Sequence, residues 1–325
     1  MISKVAMLAY TMVNHHMIGQ VQKRGSLSIK RLISGAGTLN NDALHKIRTR
    51  WTDKLEKAGV PEADLSVKYI IEKVLGQDSE LTLEKQVEIN EKCIRRLKRK
   101  PIQYIIGDWD FRDLTLLMKP PVFIPRPETE DLVDIIGSYH QLSTINHPGS
   151  FRFLEVGCGS GAICLSLLSE NQETSCVAID VNPEAVKLTR LNGKRNNLLN
   201  RITVTKADIG NFTCNEQFDA IISNPPYIPT QDINHLEPEV KSYEDRKALC
   251  GGEDGMDVIK DIFLAAPQLL KPNGSIWLEI DLSHPTKIRQ WIHENPSSAL
   301  KVNNFYDDFT QRYVMVMASS DGVLN

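Results

Sequence analysis

The sequence predicts an α/β protein: a doubly wound, mostly parallel sheet, preceded by a small helical domain and a β-hairpin. Three observations predict it. From about residue 128 onward, short runs of β-branched and apolar residues alternate with segments of helical spacing, the pattern of strand-helix-strand units. A glycine-rich turn, residues 157–161, follows the first of those runs directly. Residues 44–100 instead carry apolar side chains at three-to-four spacing, which is a helical period. With 325 residues, 41% of them hydrophobic, the chain can build a core in each part.

Residues 1–41 contain Lys4, Lys23, Arg24, Lys30 and Arg31 and no Asp or Glu, so they carry +5 of a total formal charge of −3 and leave −8 on the remainder. A stretch that is basic, hydroxylated and interrupted by apolar residues reads as a mitochondrial transit peptide. The expectation is a leader over 1–41, outside the fold, and a mitochondrial matrix location. A tail of accidental composition is the alternative.

Leu44, Ile47, Trp51, Leu55 and Ala58 predict a first helix, broken at Gly59-Val60-Pro61. Leu65, Ile70, Ile71, Val74 and Leu75 predict a second, which stops at Gly76. A third is expected from about Thr82 to Lys100, with Leu83, Val87, Ile94 and Leu97 inward and Pro101 ending it. Together they form a small helical domain over 42–106. Its cations Lys92, Arg95, Arg96, Lys98, Arg99 and Lys100 read as a solvated face favoured by the helix dipole, or as a contact for an acidic or RNA-bearing partner. Trp109 and Phe111, then Leu114, Leu116 and Met118, alternate around Arg112-Asp113, a hairpin linker over 107–122.

The remaining domain, 123–325, has strands predicted at 151–156, 175–179, 202–205, 218–223 and 275–280, with helices at 162–168, 183–195 and 256–270 among them. Segments 302–306 and 313–318 are expected to close the sheet as an antiparallel pair. No apolar run reaches the roughly 18 to 20 residues that a membrane span needs. Cys93, Cys158, Cys164, Cys176, Cys214 and Cys250 form no CxxC or Cys/His cluster, so neither zinc nor a disulfide framework is expected. An acidic body disfavours a nucleic acid as the main partner, because phosphate binding calls for a cationic face.

Glu155-Val156-Gly157-Cys158-Gly159-Ser160-Gly161-Ala162 turns the first strand into a helix. Glycines suit such a turn because the chain bends sharply and a ligand must approach bare backbone. The pattern satisfies a dinucleotide fingerprint as well as the form used for S-adenosylmethionine. Asp180, ending the second strand, can accept both hydroxyls of a ribose, or it can cap the helix ahead of Pro183.

Discrimination comes from the fourth strand, which runs into Asn224-Pro225-Pro226-Tyr227. Ligands bind outside the carboxyl ends of strands in such sheets, so this loop faces the same crevice as the glycine turn. The Asn224 side-chain oxygen and the Pro225 carbonyl can each accept one N–H of a substrate NH₂ and aim its nitrogen at a sulfonium methyl. Proline fixes φ and offers no N–H, so this loop is rigid, and Tyr227 can lie on the flat face of the target group. As structure only, the tetrapeptide is a turn with a packed tyrosine.

This tetrapeptide with the glycine turn resembles the amino-methyltransferases that act on exocyclic or amide nitrogens, adenine-N6 and glutamine-N5 enzymes included. Ile124-Pro125-Arg126-Pro127-Glu128-Thr129-Glu130 and Pro101-Ile102-Gln103-Tyr104-Ile105-Ile106-Gly107 narrow it: they are similar to the HemK/PrmC release factor glutamine methyltransferases, from about residue 65 to the end. Later landmarks are Tyr243-Glu244-Asp245, Ala248-Leu249, Gly251 to Gly255 and Leu278-Glu279-Ile280. Asp245-Arg246-Lys247 departs from the family, where a proline often follows the glutamate.

The resemblance implies a Rossmann-like, seven-stranded class I domain dependent on S-adenosylmethionine (SAM). It implies transfer to the glutamine of the Gly-Gly-Gln loop of a class 1 peptide release factor, the mitochondrial one given the leader. By the same resemblance Gly157, Cys158, Gly159, Ser160, Gly161 and Asp180 hold the cofactor, with Asn224 beside it. Asp208 and Ile209 flank its adenine, Asn224, Pro225, Pro226 and Tyr227 hold the glutamine, and Arg126 to Glu130 border the methionine end. Arg126, Glu128 and Glu130 read otherwise as a helix-entry salt bridge, and Asp208 as a loop acid. A monomer without metal or membrane is expected. The rival readings are an adenine-N6 nucleic-acid methyltransferase, a nicotinamide dehydrogenase and a non-catalytic release-factor or ribosome binding module.

Overall fold

The structure, a computed structural model, describes residues 38–77, 80–146, 150–298, 300–307 and 313–320. Most of the expected leader therefore lies outside the described residues. The chain divides into two compact units. One comprises the residues up to Asp108 together with His235–Tyr243, and the other Trp109–Asn234 with Glu244 onward. Among the described residues, no helix is long and apolar enough to cross a membrane.

In the helical unit, α1 (Thr38–Lys57), α2 (Ala63–Leu75), α3 (Leu83–Leu97) and the short α4 (Ile102–Ile106) bury Trp51, Leu55, Val67, Ile70 and Ile89. Two boundaries have a clear local cause. Gly76 ends α2 with φ 61°, its N–H donating to the Glu72 carbonyl, a conformation that favours glycine. The Thr82 hydroxyl accepts from the Lys85 N–H and caps α3.

The inward face of α3 differs from expectation. Leu83, Val87, Ile94 and Leu97 are exposed, Leu83 by 75%, whereas Ile89, Cys93 and Arg96 are buried. At about 100° per residue these sets form two stripes roughly 120° apart, and helical period alone does not choose between them. Arg96 lies on the buried stripe, where its guanidinium finds several acceptors. It donates to Ser66 Oγ at 3.1 Å, to the Pro61 carbonyl at 3.1 Å and to Glu239 Oε1 at 2.8 Å. Arg99 adds a fork onto Glu239, at 2.6 and 2.7 Å. These two cations of the basic run are therefore ties within this unit and not a solvated face.

The sheet unit begins with the hairpin of β1 (Asp108–Phe111) and β2 (Leu114–Leu117). Next come α5 (Glu128–Asn146), β3 (Phe151–Val156), α6 (Ala162–Glu170), β4 (Thr174–Asp180), α7 (Pro183–Arg195), β5 (Ile202–Lys206) and β6 (Phe218–Ser223). The unit ends with α8 (Asp257–Leu269), β7 (Leu270–Asp281), α9 (His284–Glu294), β8 (Leu300–Asp307) and β9 (Tyr313–Ser320). Each of the seven expected strands has a counterpart. Their order is β5-β4-β3-β6-β7-β9-β8, parallel except at β9, which is antiparallel to β7 and β8.

From β3 the chain winds outward through β4 to β5, then returns to lay β6 on the other side of β3. The switch opens a crevice at the carboxyl ends of β3 and β6. Their last residues pair, Val156 with Ser223, and the Ser223 hydroxyl donates to the Val156 carbonyl at 2.7 Å. The loops that follow both strands thus start side by side. Beneath them Phe218, Ile221, Phe263, Leu278 and Ile280 form a dry core.

Candidate active site

The glycine turn needs its glycines for conformation. Gly157, Gly159 and Gly161 have φ of 75°, 55° and 84°, the left-handed region that L side chains rarely adopt. A Cβ on Gly161 would meet Leu165 and Thr189 side chains at 2.9 and 3.1 Å, whereas one on Gly157 would meet nothing within 4 Å. The first glycine leaves bare backbone toward open space, and the third lets α6 pack close. The Gly157 and Cys158 amides donate to the Ile179 carbonyl, at 2.8 and 3.1 Å. From α7, Thr189 donates to the Gly159 carbonyl and Asn192 to that of Ser160.

Asp180, at the end of β4, accepts from the Gly159 N–H at 3.0 Å and from the Asn182 N–H at 2.8 Å, one on each oxygen. A carboxylate oxygen has two acceptor positions, so each keeps one for a ligand. Burial raises the Asp180 carboxyl above its ordinary value, and the two amides oppose the rise. Glu155, 1% exposed, is pushed up to about 8 by burial. A group with that pKa is mainly neutral at pH 7.

These elements enclose a cavity of ≈ 430 Å³ lined by Gly157, Cys158, Gly159, Ser160, Asp180, Asp208, Ile209 and all of Asn224 to Tyr227. Of the residues expected from sequence, Gly161 is not on the wall, and of the 126–130 stretch Thr129 alone is. Such a volume is in the range of nucleoside-sized ligand sites. Bare glycine backbone, a two-oxygen acceptor and the buried Ile209 suit the amino-acid, ribose and base parts of SAM. Thr129, Glu155 and Asp261 also line it; Thr129 lies in the 126–130 stretch expected near the methionine end, whereas sequence reasoning missed Glu155 and Asp261 as site residues. The glutamate precedes the glycine turn, which was its available signal; Asp261 had none beyond helical position. A second hollow of ≈ 470 Å³ on α7 shares no residue with this cavity.

The Asn224-to-Tyr227 loop is backed by residues 249–255. The Ile228 N–H donates to the Leu249 carbonyl, and Gly251 N–H to the Ile228 carbonyl. A Cβ on Gly251 would lie 2.5 Å from the Pro226 carbonyl oxygen, so glycine permits this close approach. Behind Tyr227 stands His284, edge-on with ring centroids 6.4 Å apart. Burial holds the imidazole down to about 4, so it supports the tyrosine as a neutral ring. The Asn224 Nδ2 donates to Thr129 Oγ1 at 3.2 Å, and Thr129 donates to Glu279 Oε2 at 2.7 Å.

The stretch 126–130 divides its labour. Thr129 reaches the cavity, whereas Arg126 pairs with the buried Glu244 at 2.7 Å. Glu130 accepts from the Arg112 N–H at 3.0 Å. In the atypical 245–247 segment, Asp245 accepts from the Asn182 side chain at 2.7 Å and, with Lys247, lines the cavity.

Two family models and several relatives match the chain. Residues 46–107 match the model of the PrmC N-terminal domain, and residues 114–236 that of the methyltransferase small domain. The chain is 43% identical to the human MTRF1L release factor glutamine methyltransferase, over 81% of this chain and 83% of that protein. It is 35% identical to the release factor glutamine methyltransferase of Geobacter sulfurreducens, over 71% and 81%, and 33% identical to that of Caulobacter vibrioides, over 71% and 82%.

Proposed function

This chain belongs to the release factor glutamine methyltransferase family, and from that premise we propose its substrate, its cofactor contacts and its compartment. It is a methyltransferase that transfers the methyl of SAM to N5 of the glutamine in the Gly-Gly-Gln loop of a mitochondrial class 1 peptide release factor. The glutamine N5 bonds to the methyl carbon, the carbon–sulfur bond breaks with its electron pair on sulfur, and one N–H proton leaves to solvent. Bound SAM supplies an electrophilic methyl on a good leaving group. The protein therefore has to orient and desolvate more than to activate.

The turn Gly157-Cys158-Gly159-Ser160 and Asp180 hold the cofactor, and Asp208 with Ile209 flanks its base. The Asn224 oxygen and the Pro225 carbonyl accept the two N–H groups of the substrate amide. Such an amide is a poor nucleophile because its lone pair is delocalised into the carbonyl. Two acceptors favour the positive charge that grows on nitrogen during transfer. Tyr227, edge-on to a neutral His284, offers a flat face to the amide. The helical unit serves recognition of the protein substrate, and the basic leader supports a matrix location.

The observation that carries this reading is the Asn224 side chain, its NH₂ engaged by Thr129 and its oxygen left beside the cavity. Full-length protein given labelled SAM and a mitochondrial release factor is expected to label the Gly-Gly-Gln glutamine. Label that persists after Gln→Asn substitution at that site would overturn the reading.

A further inference from the structure

We propose that Thr129, anchored by Glu279, is a positioning residue that turns the Asn224 amide so its oxygen faces the substrate nitrogen. The proposal rests on the function inferred above and adds a specific device to it. An asparagine amide has nearly the same shape with oxygen and nitrogen exchanged. Turned the wrong way, Asn224 would offer N–H to a substrate NH₂, and two donors would face each other. Something has to select the productive orientation.

Thr129 has one hydroxyl hydrogen, and at 2.7 Å that hydrogen is directed to Glu279 Oε2. Only hydroxyl lone pairs then remain toward Asn224, and a lone pair requires an N–H opposite. Nδ2 fills that need at 3.2 Å. Thr129 is 2% exposed and Glu279 1%, so little water competes for either group. Hydrogen bonds in such a chain polarise one another. An N–H drawn toward the hydroxyl leaves Oδ1 more negative and a stronger acceptor for the substrate.

The fold assembles this relay from three separate elements. Thr129 lies in the first turn of α5. Glu279 follows Leu278, which pairs with Ser223 in the parallel β6–β7 register, so Glu279 arrives beside Asn224, the residue after Ser223. The three side chains are 95 and 150 positions apart in sequence.

Thr129→Val keeps the shape and removes the hydroxyl. We expect kcat for the release factor to fall about tenfold, the equivalent of one hydrogen bond, with S-adenosylhomocysteine affinity within about twofold of wild type. Thr129→Ser restores the rate. In an Asn224→Ala background, Thr129→Val adds almost nothing, because the group it orients is gone. A second measurement needs no substrate. In ¹⁵N-labelled protein, the Asn224 side-chain NH₂, identified by its loss in Asn224→Ala, shows one proton protected from solvent exchange, and Thr129→Val abolishes the protection.

Failure of wild-type protein to methylate any release factor would refute the proposed function, while the NMR result still decides the relay. An active wild type whose Asn224 NH₂ is unprotected would overturn the relay. So would a Thr129→Val loss that persists undiminished on top of Asn224→Ala, or one that serine does not rescue.

Discussion

In the helical unit Arg96 and Glu239, 3% and 4% exposed, are buried against each other. In the sheet unit Glu155, 1% exposed, lines a cavity, and among the described residues no cation pairs with it. Burial pushes the Glu239 carboxyl up, but hydrogen bonds from Arg99 and Arg96 outweigh it and hold the group below its ordinary value. At Glu155 burial outweighs the hydrogen bonds from Cys164, and the carboxyl rises to about 8. The difference separates a structural tie from a site. A buried charge that is fully paired holds its own segments together, whereas polar groups that end at a cavity keep bonding capacity for a ligand.

Four perturbations test that contrast. Glu239→Ala would leave the Arg96 guanidinium buried without its carboxylate, and urea unfolding should show a loss of about 3–5 kcal/mol. A loss under about 1 kcal/mol would mean that Arg96 finds water or another partner. Asn224→Ala should lower kcat about a hundredfold while calorimetry finds S-adenosylhomocysteine affinity nearly unchanged. Equal loss of cofactor binding would show that the loop builds the cofactor site as well.

Glu155 gives a pH signature. Its pKa in the folded chain is raised, so the stability it contributes is fully present below about 4.5 and is lost as pH rises through about 8. Glu155→Gln mimics the neutral form. It should flatten the melting temperature over that window and add about 1–3 kcal/mol near neutrality, with no difference below pH 4.5. An unchanged slope would assign the pH dependence to other groups. The smallest effect is expected at Leu83, 75% exposed: Leu83→Ala should change stability by no more than about 0.5 kcal/mol, against about 2–5 kcal/mol for Ile89→Ala. The reverse ranking would restore the face that periodicity suggested.

The strand positions were legible because strand pattern, glycine turns and proline stops are written in neighbouring residues. The crevice was legible for the same reason, since both loops follow strands and such loops share one edge of a parallel sheet. The buried face of α3 was not legible. Two apolar stripes compete there, and the carboxylate partner of Arg96 is 143 residues away. The tie from Thr129 to Asn224 and Glu279 was not legible either, because nothing near Thr129 in sequence indicates those partners.

Sequence by itself determined the α/β class, the family and the two loops that line the cavity, because backbone conformation at Gly157, Gly159, Pro225 and Pro226 depends on the residues themselves. Only the tertiary structure decided which way the Asn224 amide points, which face of α3 is buried and which carboxylates are paired. Each of those outcomes is set by a hydrogen-bond partner that folding brings from a distant part of the chain.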